Sequence, residues 1–202
     1  YGIPDDSESV ATLERALAAA ADDIAAEGKR FALVGGLAVS VRAEVRFTRD
    51  VDLAVAVDND TEAESLVYAL KSRGYITVAS VEHEAQSRLA TIRLRSPQGV
   101  KVDLLFASSG IEAETIARAT NVALPSVGAV PIARAEELLS LKVLSMTDDR
   151  LQDRIDARNL LRVNVDLDLD CVRDNLRLIV ERGYARKQDL AAKLTTLLET
   201  SH

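Results

Sequence analysis

Tryptophan is absent from this 202-residue chain, which holds only three phenylalanines and four tyrosines. With aromatics this scarce, the core must be built from alanine, valine and leucine, and base recognition by stacking has little to draw on. A single cysteine, Cys171, excludes an internal disulfide framework. With only His83 and His202 beside it, a Cys/His zinc site has too few donors. No apolar run approaches the length of a membrane span, and the start carries no secretory pattern, so the expectation is a soluble, cytoplasmic protein. Positive charge is not in excess either. The net charge of −7 argues against a nonspecific nucleic-acid coat protein, though not against a local basic patch.

What is present suffices for a core. Hydrophobic residues make up 48% of the chain and charged residues 28%, the composition of one folded domain, or of a core domain with a small helical appendage. Residues 7–27 are alanine-rich, with apolar positions at helical spacing and Gly28 as a stop. FALV at 31–34 reads as a short buried strand, Gly35-Gly36 turns the chain into a short helix, and VDLAVAV at 51–57 reads as a second strand. A helix starting at Asp60 or Thr61 and stopping at Gly74 comes next. Strands are expected at 75–80, 89–96 and 100–107, the last two joined by a Pro97-Gln98-Gly99 turn. A helix near 110–119 and a β-like stretch through VALPSVGAVPIA precede a change of character at Arg134, after which the pattern is helical. The division expected is an α/β core over 1–132 and a helical region over 133–202.

Within this frame two features stand out. A strand, two glycines and a helix make a corner that can bring backbone N–H groups and a helix N-terminus against a phosphate. Alone it is a weak signal: an ordinary tight turn looks the same, and both the GxGxxG and the GxxxxGK[ST] patterns are missing. The second feature is acidic. Asp50 and Asp52, at positions i and i+2 of a strand, share a face, and Asp103 is a further charge inside the strong strand VKVDLLF. Side-by-side carboxylates repel unless a cation lies between them, and oxygen-only ligation with few donors suits Mg²⁺. Any one of the three reads equally well as a solvated strand end, or as a partner of Arg46 or Arg49. Together, downstream of the glycine corner, they point to two Mg²⁺ ions, a nucleoside triphosphate and nucleotidyl transfer.

The series GG at 35–36, RFTRDVDL at 46–53 and VDLL at 102–105 resembles the polymerase-β-type nucleotidyltransferase fold. Its particular form, GGLAVSV followed by R-x-T-x-D-V-D, resembles the AbiEii-type (MenT-like) toxin branch over roughly residues 31–160. The fold implied is an α/β (α+β) core, a mixed sheet flanked by helices, with a C-terminal helical part completing the active site. By the same resemblance Asp50, Asp52 and Asp103 hold metal, while Gly35, Gly36, Arg46 and Thr48 bind nucleotide. Lys142, Arg150, Asp153 and, less strongly marked, Asp156 match the branch's K…R..D..D motif. Lys142 would act on the triphosphate, with Asp153 orienting it or serving as a general base. On one continuous helix Lys142 and Asp153, eleven residues apart, would share a face. Read without the upstream aspartates, the same segment is an exposed face laced with ion pairs. The serine that often follows the two glycines in the wider fold is here Leu37.

Thr48, two residues before Asp50, would share its strand face. The family makes phosphorylation at this hydroxyl a means of control, since a phosphate beside the carboxylates should block metal and nucleotide. The partners implied are RNA, the 3′ end of tRNA in MenT-like members, and a cognate antitoxin. Arg88, Arg93, Arg95 and Lys101 on neighbouring strands, and Arg150, Arg154, Arg158 and Arg162 at i+4 spacing, are candidate phosphate contacts or solvated faces. Two rivals stand beside an RNA-modifying toxin. One is a small-molecule nucleotidyltransferase of the aminoglycoside-modifying sort, which would present an acidic acceptor pocket. The other is a non-catalytic nucleotide-binding module.

Overall fold

Phe31 to Val34 are buried without a break and form strand β1 (Phe31–Val34), which lies inside a seven-stranded sheet and not at its edge. The computed structural model describes residues 6–83 and 88–200. His202, one of the scarce zinc donors, lies outside them. Helix α1 (Asp6–Ala26) precedes β1, and the chain then passes directly into α2 (Gly35–Arg42). Strand β2 (Asp50–Val55) returns antiparallel to β1, with Val34 opposite Asp52. In β2 the side chains of Val51, Leu53 and Val55 are fully buried, while Asp50 and Asp52 take the alternate face. Burying each of those apolar side chains stabilises by about 2 kcal/mol. A slip of one residue would exchange them with the aspartates, so the same burial sets the register that presents the carboxylates.

Helix α3 (Asp60–Ser72) starts at Asp60, one of the two starts the sequence offers, and its cap is Asn59, whose side chain accepts from the Glu62 N–H. Asp60 instead accepts from the Leu89 N–H at 3.0 Å, tying the helix to the sheet. Strands β3 (Ile76–His83), β4 (Arg88–Arg95) and β5 (Lys101–Leu105) follow, then α4 (Glu112–Arg118) and a hairpin of β6 (Thr120–Leu124) and β7 (Gly128–Ile132). The strand order is β3-β4-β5-β2-β1-β7-β6. The sheet is mixed: β2 runs parallel to β5 and β1 to β7, and the remaining neighbours are antiparallel. This is the mixed sheet flanked by helices that the polymerase-β-type resemblance implies.

The helical part comprises α5 (Ala135–Ser145), α6 (Leu151–Val163), α7 (Leu169–Glu181) and α8 (Leu190–Glu199). Helix α5 is buried nearly all round, and α2, α6, α7 and α8 all pack on it. The buried apolar side chains from Leu13 in α1 to Leu197 in α8 form one continuous cluster. The single helix carrying both Lys142 and Asp153 is not observed. Residues 146–150 leave helical geometry, Arg150 N–H bonding back to Thr147 O, and the two residues lie on the separate helices α5 and α6.

Candidate active site

The carboxylates are brought together by strand register. Asp52 on β2 stands opposite Asp103 on the parallel neighbour β5, and Asp50 stands opposite Lys101, whose ammonium lies 3.7 Å from it. Asp103 is buried and Asp52 half-buried. Burial, followed by the negative charges of Asp103 and Asp50, pushes the Asp52 carboxyl up to about 6. This is the crowding that a cation between them would relieve.

The glycine corner is shaped around these side chains. Gly35 has φ +66°, a left-handed conformation, and a Cβ there would meet Asp52 Oδ2 at 1.9 Å. A Cβ on Gly36 would meet an Arg46 guanidinium nitrogen at 2.5 Å and Thr48 Oγ1 at 2.9 Å. Helix α2 starts here with Val34 giving no side-chain cap and no acidic residue in its first turn, which puts a positive helix end at the cleft. Thr48 reaches this corner by a route other than strand alternation. Because β2 starts at Asp50, Thr48 belongs to the irregular segment 43–49 and lines the cleft from there.

Lys142, from α5, is buried with its ammonium 2.7 Å from both Asp153 and Asp156 of α6. Asp156 is fully buried and is also paired with Arg46 at 2.9 Å, so it links the helical part to the segment carrying Thr48. Burial opposes ionisation of Asp156, but hydrogen bonds from Lys142 and Gln152, with the charges of Lys142 and Arg46, hold its carboxyl below the usual range. Arg46 and Arg49 are therefore not counter-ions of Asp50 and Asp52: Arg46 goes to Asp156, and Arg49 lies over the Phe47 ring, 5.0 Å from its centroid. Arg150 stands at the N-cap of α6, outside the helix, and pairs with Asp153 at 2.8 Å.

Two cleft residues take positions that the sequence does not announce. The sequence offers Arg93 as a candidate phosphate contact or as part of a solvated face. It instead faces Asp103 across the β4–β5 hairpin and donates two hydrogen bonds to it, at 2.8 and 2.6 Å. That clamp raises the Arg93 pKa above its ordinary value. Counting outward from the Pro97-Gln98-Gly99 turn would have found this pair. Arg186 carried no signal: it lies in a loop after α7, in the left-handed region with φ +54°, and lines the cleft with its side chain 3.3 Å from Ser108 O. Of the other arginines read as phosphate contacts, Arg88 pairs with Asp60, Arg154 with Asp148 and Arg162 with Glu44, while Arg158 reaches the Thr200 hydroxyl.

These groups line a cleft of about 990 Å³. Among the described residues no three His, Cys, Asp or Glu side chains are already gathered into a metal site. Asp103 is engaged by Arg93 and Asp50 lies near Lys101, yet the donor set is oxygen-only, acidic, and on two adjacent strands. It fits a hard divalent cation once Asp103 turns from Arg93. No helix among the described residues is long and apolar enough to cross a membrane.

The sequence profile described as "Nucleotidyl transferase AbiEii toxin, Type IV TA system" matches residues 15–199. No curated protein matches the chain. Among solved structures, an antigenic nucleotidyltransferase-like protein from Paracoccidioides brasiliensis is 19% identical, with 91% of this chain and 92% of that one covered at a TM-score of 0.50. The antibiotic-resistance factor ANT(2″)-Ia is 15% identical in its solution structure, covering 95% and 98% at a TM-score of 0.51. Its complex with adenylyl-2″-tobramycin is 15% identical, covering 85% and 97% at 0.50. At these identities the likeness is one of fold.

Proposed function

Since the chain belongs to the AbiEii nucleotidyl transferase toxin family, we propose that it moves a nucleoside monophosphate from an NTP to the hydroxyl of an RNA acceptor. The 3′ end of tRNA is the acceptor that the family resemblance favours, and the consequence would be arrested translation. One observation supports the chemistry above all: Asp50, Asp52 and Asp103, on neighbouring strands, share a cleft with the uncapped N-terminus of α2 at Gly35-Gly36. Asp50, Asp52 and Asp103 are the residues that would hold Mg²⁺, which when bound supplies activation of the acceptor hydroxyl and neutralisation of the leaving pyrophosphate.

The chain's own groups do the rest. The N–H groups at Gly35 and Gly36 receive phosphate oxygens. The acceptor oxygen forms a bond to the α-phosphorus as the bond to pyrophosphate breaks. The electron pair leaves with pyrophosphate, and the hydroxyl proton passes to a carboxylate of the trio. Lys142, held between Asp153 and Asp156, and Arg46, held by Asp156, are fixed in place rather than free to follow the triphosphate. We therefore assign Asp153 and Asp156 to orienting these cations. An antitoxin partner follows from the family.

The fold shared with ANT(2″)-Ia, seen in complex with adenylyl-2″-tobramycin, favours a second reading in which the acceptor is a small molecule. Against it, the cleft lining carries the cations Arg46, Arg49, Arg93, Lys142, Arg150 and Arg186 beside five aspartates, and so is not the acidic pocket a polycationic acceptor would use. The deciding experiment incubates the protein with Mg²⁺, each labelled NTP and either total tRNA or aminoglycosides, with Asp50→Ala as control. Label in tRNA supports the RNA reading, label in the drug the second, and nucleotide binding without transfer overturns both in favour of a non-catalytic module.

A further inference from the structure

Asp50 stands where two grooves meet. The main cleft holds Asp52, Asp103 and the glycine corner; a second groove of about 630 Å³ shares Phe47, Thr48, Arg49 and Asp50 with it. This second groove runs between the N-terminal part of α1 and the β4–β5 turn. We propose that it seats the acceptor, the 3′ end of a single-stranded RNA, with the terminal base on Phe47 and the adjoining phosphates on Arg49, Arg95 and Lys101. The inference rests on the RNA reading above and adds the place and the residues by which the acceptor is held.

Three observations carry it. Phe47 is 57% exposed whereas Phe31 and Phe106 are buried at 8% and 5%, so the one exposed phenylalanine stands beside a carboxylate of the trio. The exposed ring is a platform for a nucleobase on the face away from Arg49, and stacking is available to any base. The charges agree. Arg49, Arg95 and Lys101 face the groove against Glu8 and Asp50. Among the described residues neither Arg49 nor Arg95 is held by a carboxylate: Arg49 lies over Phe47, and Arg95 reaches Gly99 O at 3.5 Å. In the main cleft Arg46, Arg93, Lys142 and Arg150 each hold an aspartate, and Arg186 is held by Ser108 O. Lys101 lies 3.7 Å from Asp50, so the groove's uncommitted positive charge is that of Arg49 and Arg95, which attracts a polyanion and repels a polycation. Finally, the groove reaches Asp50 without passing Gly35, Gly36 or Lys142, so an acceptor lying in it leaves the α2 N-terminus to the nucleotide.

The test uses the full chain with Mg²⁺, labelled NTP, total tRNA, an aminoglycoside and a 5′-fluorescein oligoribonucleotide with a free 3′ hydroxyl, comparing wild type with Phe47→Ala and Arg95→Glu. Phe47→Ala should weaken oligonucleotide binding, read by anisotropy, about tenfold. Arg95→Glu should reduce the slope of log affinity against log salt by about 1. Both should bind labelled NTP and melt as the wild type does. A 3′-terminal 4-thiouridine should photocrosslink to the peptide containing Phe47. Wild-type transfer to tRNA with both variants binding and extending RNA normally overturns the acceptor groove and leaves the RNA reading standing. Wild-type transfer to an aminoglycoside and to no RNA overturns both.

Discussion

Gly35 and Asp52 are in contact so close that a methyl group on the first would lie 1.9 Å from a carboxylate oxygen of the second. The glycine corner and the aspartate strand are one construction. Gly35→Ala meets the Cβ and Cγ of Asp52 as well, at 2.8 and 2.6 Å, and must hold φ +66°. The left-handed backbone alone costs about 1–2 kcal/mol. Gly36→Ala meets the movable end of Arg46 and the Thr48 hydroxyl. Thermal melting should show the larger loss for Gly35→Ala, with nucleotidyl transfer abolished in it; equal melting of the two variants would refute this account.

Asp52 makes the metal-free protein sensitive to pH. Its folded-state carboxyl, at about 6, lies above its ordinary 3.8, so the folded state binds the proton more tightly than the unfolded state does. That stabilisation is complete below about pH 4 and is lost as pH rises through 6, to an extent of at most about 3 kcal/mol. In EDTA, the urea midpoint of Asp52→Asn should therefore gain on the wild type between pH 4 and pH 7. Mg²⁺ at pH 7.5 should recover the difference for the wild type only. A gap that does not change with pH would contradict the crowding of the carboxylates.

Asp156 should matter to stability more than any exposed acid. It is fully buried and neutralises Lys142 and Arg46 together. Asp156→Ala should cost about 3–5 kcal/mol, because it strands buried positive charge. Asp148→Ala removes a fully exposed carboxylate 3.7 Å from Arg154 and should leave the chemical denaturation midpoint where it is in the wild type.

Arg186 is a cleft-lining cation held by a backbone carbonyl instead of an aspartate. Burial, reinforced by the charge of Arg150, lowers its pKa and makes an incoming phosphate a favourable partner. Arg186→Gly, which suits the left-handed backbone, should melt near the wild type and bind labelled NTP about tenfold more weakly. Unchanged nucleotide affinity would remove Arg186 from the site.

A phosphate on Thr48 would add up to two negative charges beside Gly36 and Arg46, where phosphate oxygens of the nucleotide are to be received. Protein phosphorylated there, verified by intact mass after incubation with antitoxin and ATP, should bind no NTP and transfer none. Full activity of the phosphorylated form would exclude Thr48 as a control point.

Much of this molecule is determined by chemistry between near neighbours in the chain. The buried run at 31–34, the glycines after it and the alternation through Asp50 and Asp52 are short-range patterns, each legible because backbone sterics and a strand's two-residue period act between near neighbours. What required the folded chain was pairing at a distance. Parallel register set Asp103 against Asp52, a helix break turned Lys142 and Asp153 from one helix face into two helices packed together, and Arg46 reached Asp156 across 110 residues. Charged side chains are long and carry no periodicity that names their partners. Which carboxylate an arginine neutralises, and which arginines are left for a ligand, was decided by how the sheet and the helical part came together.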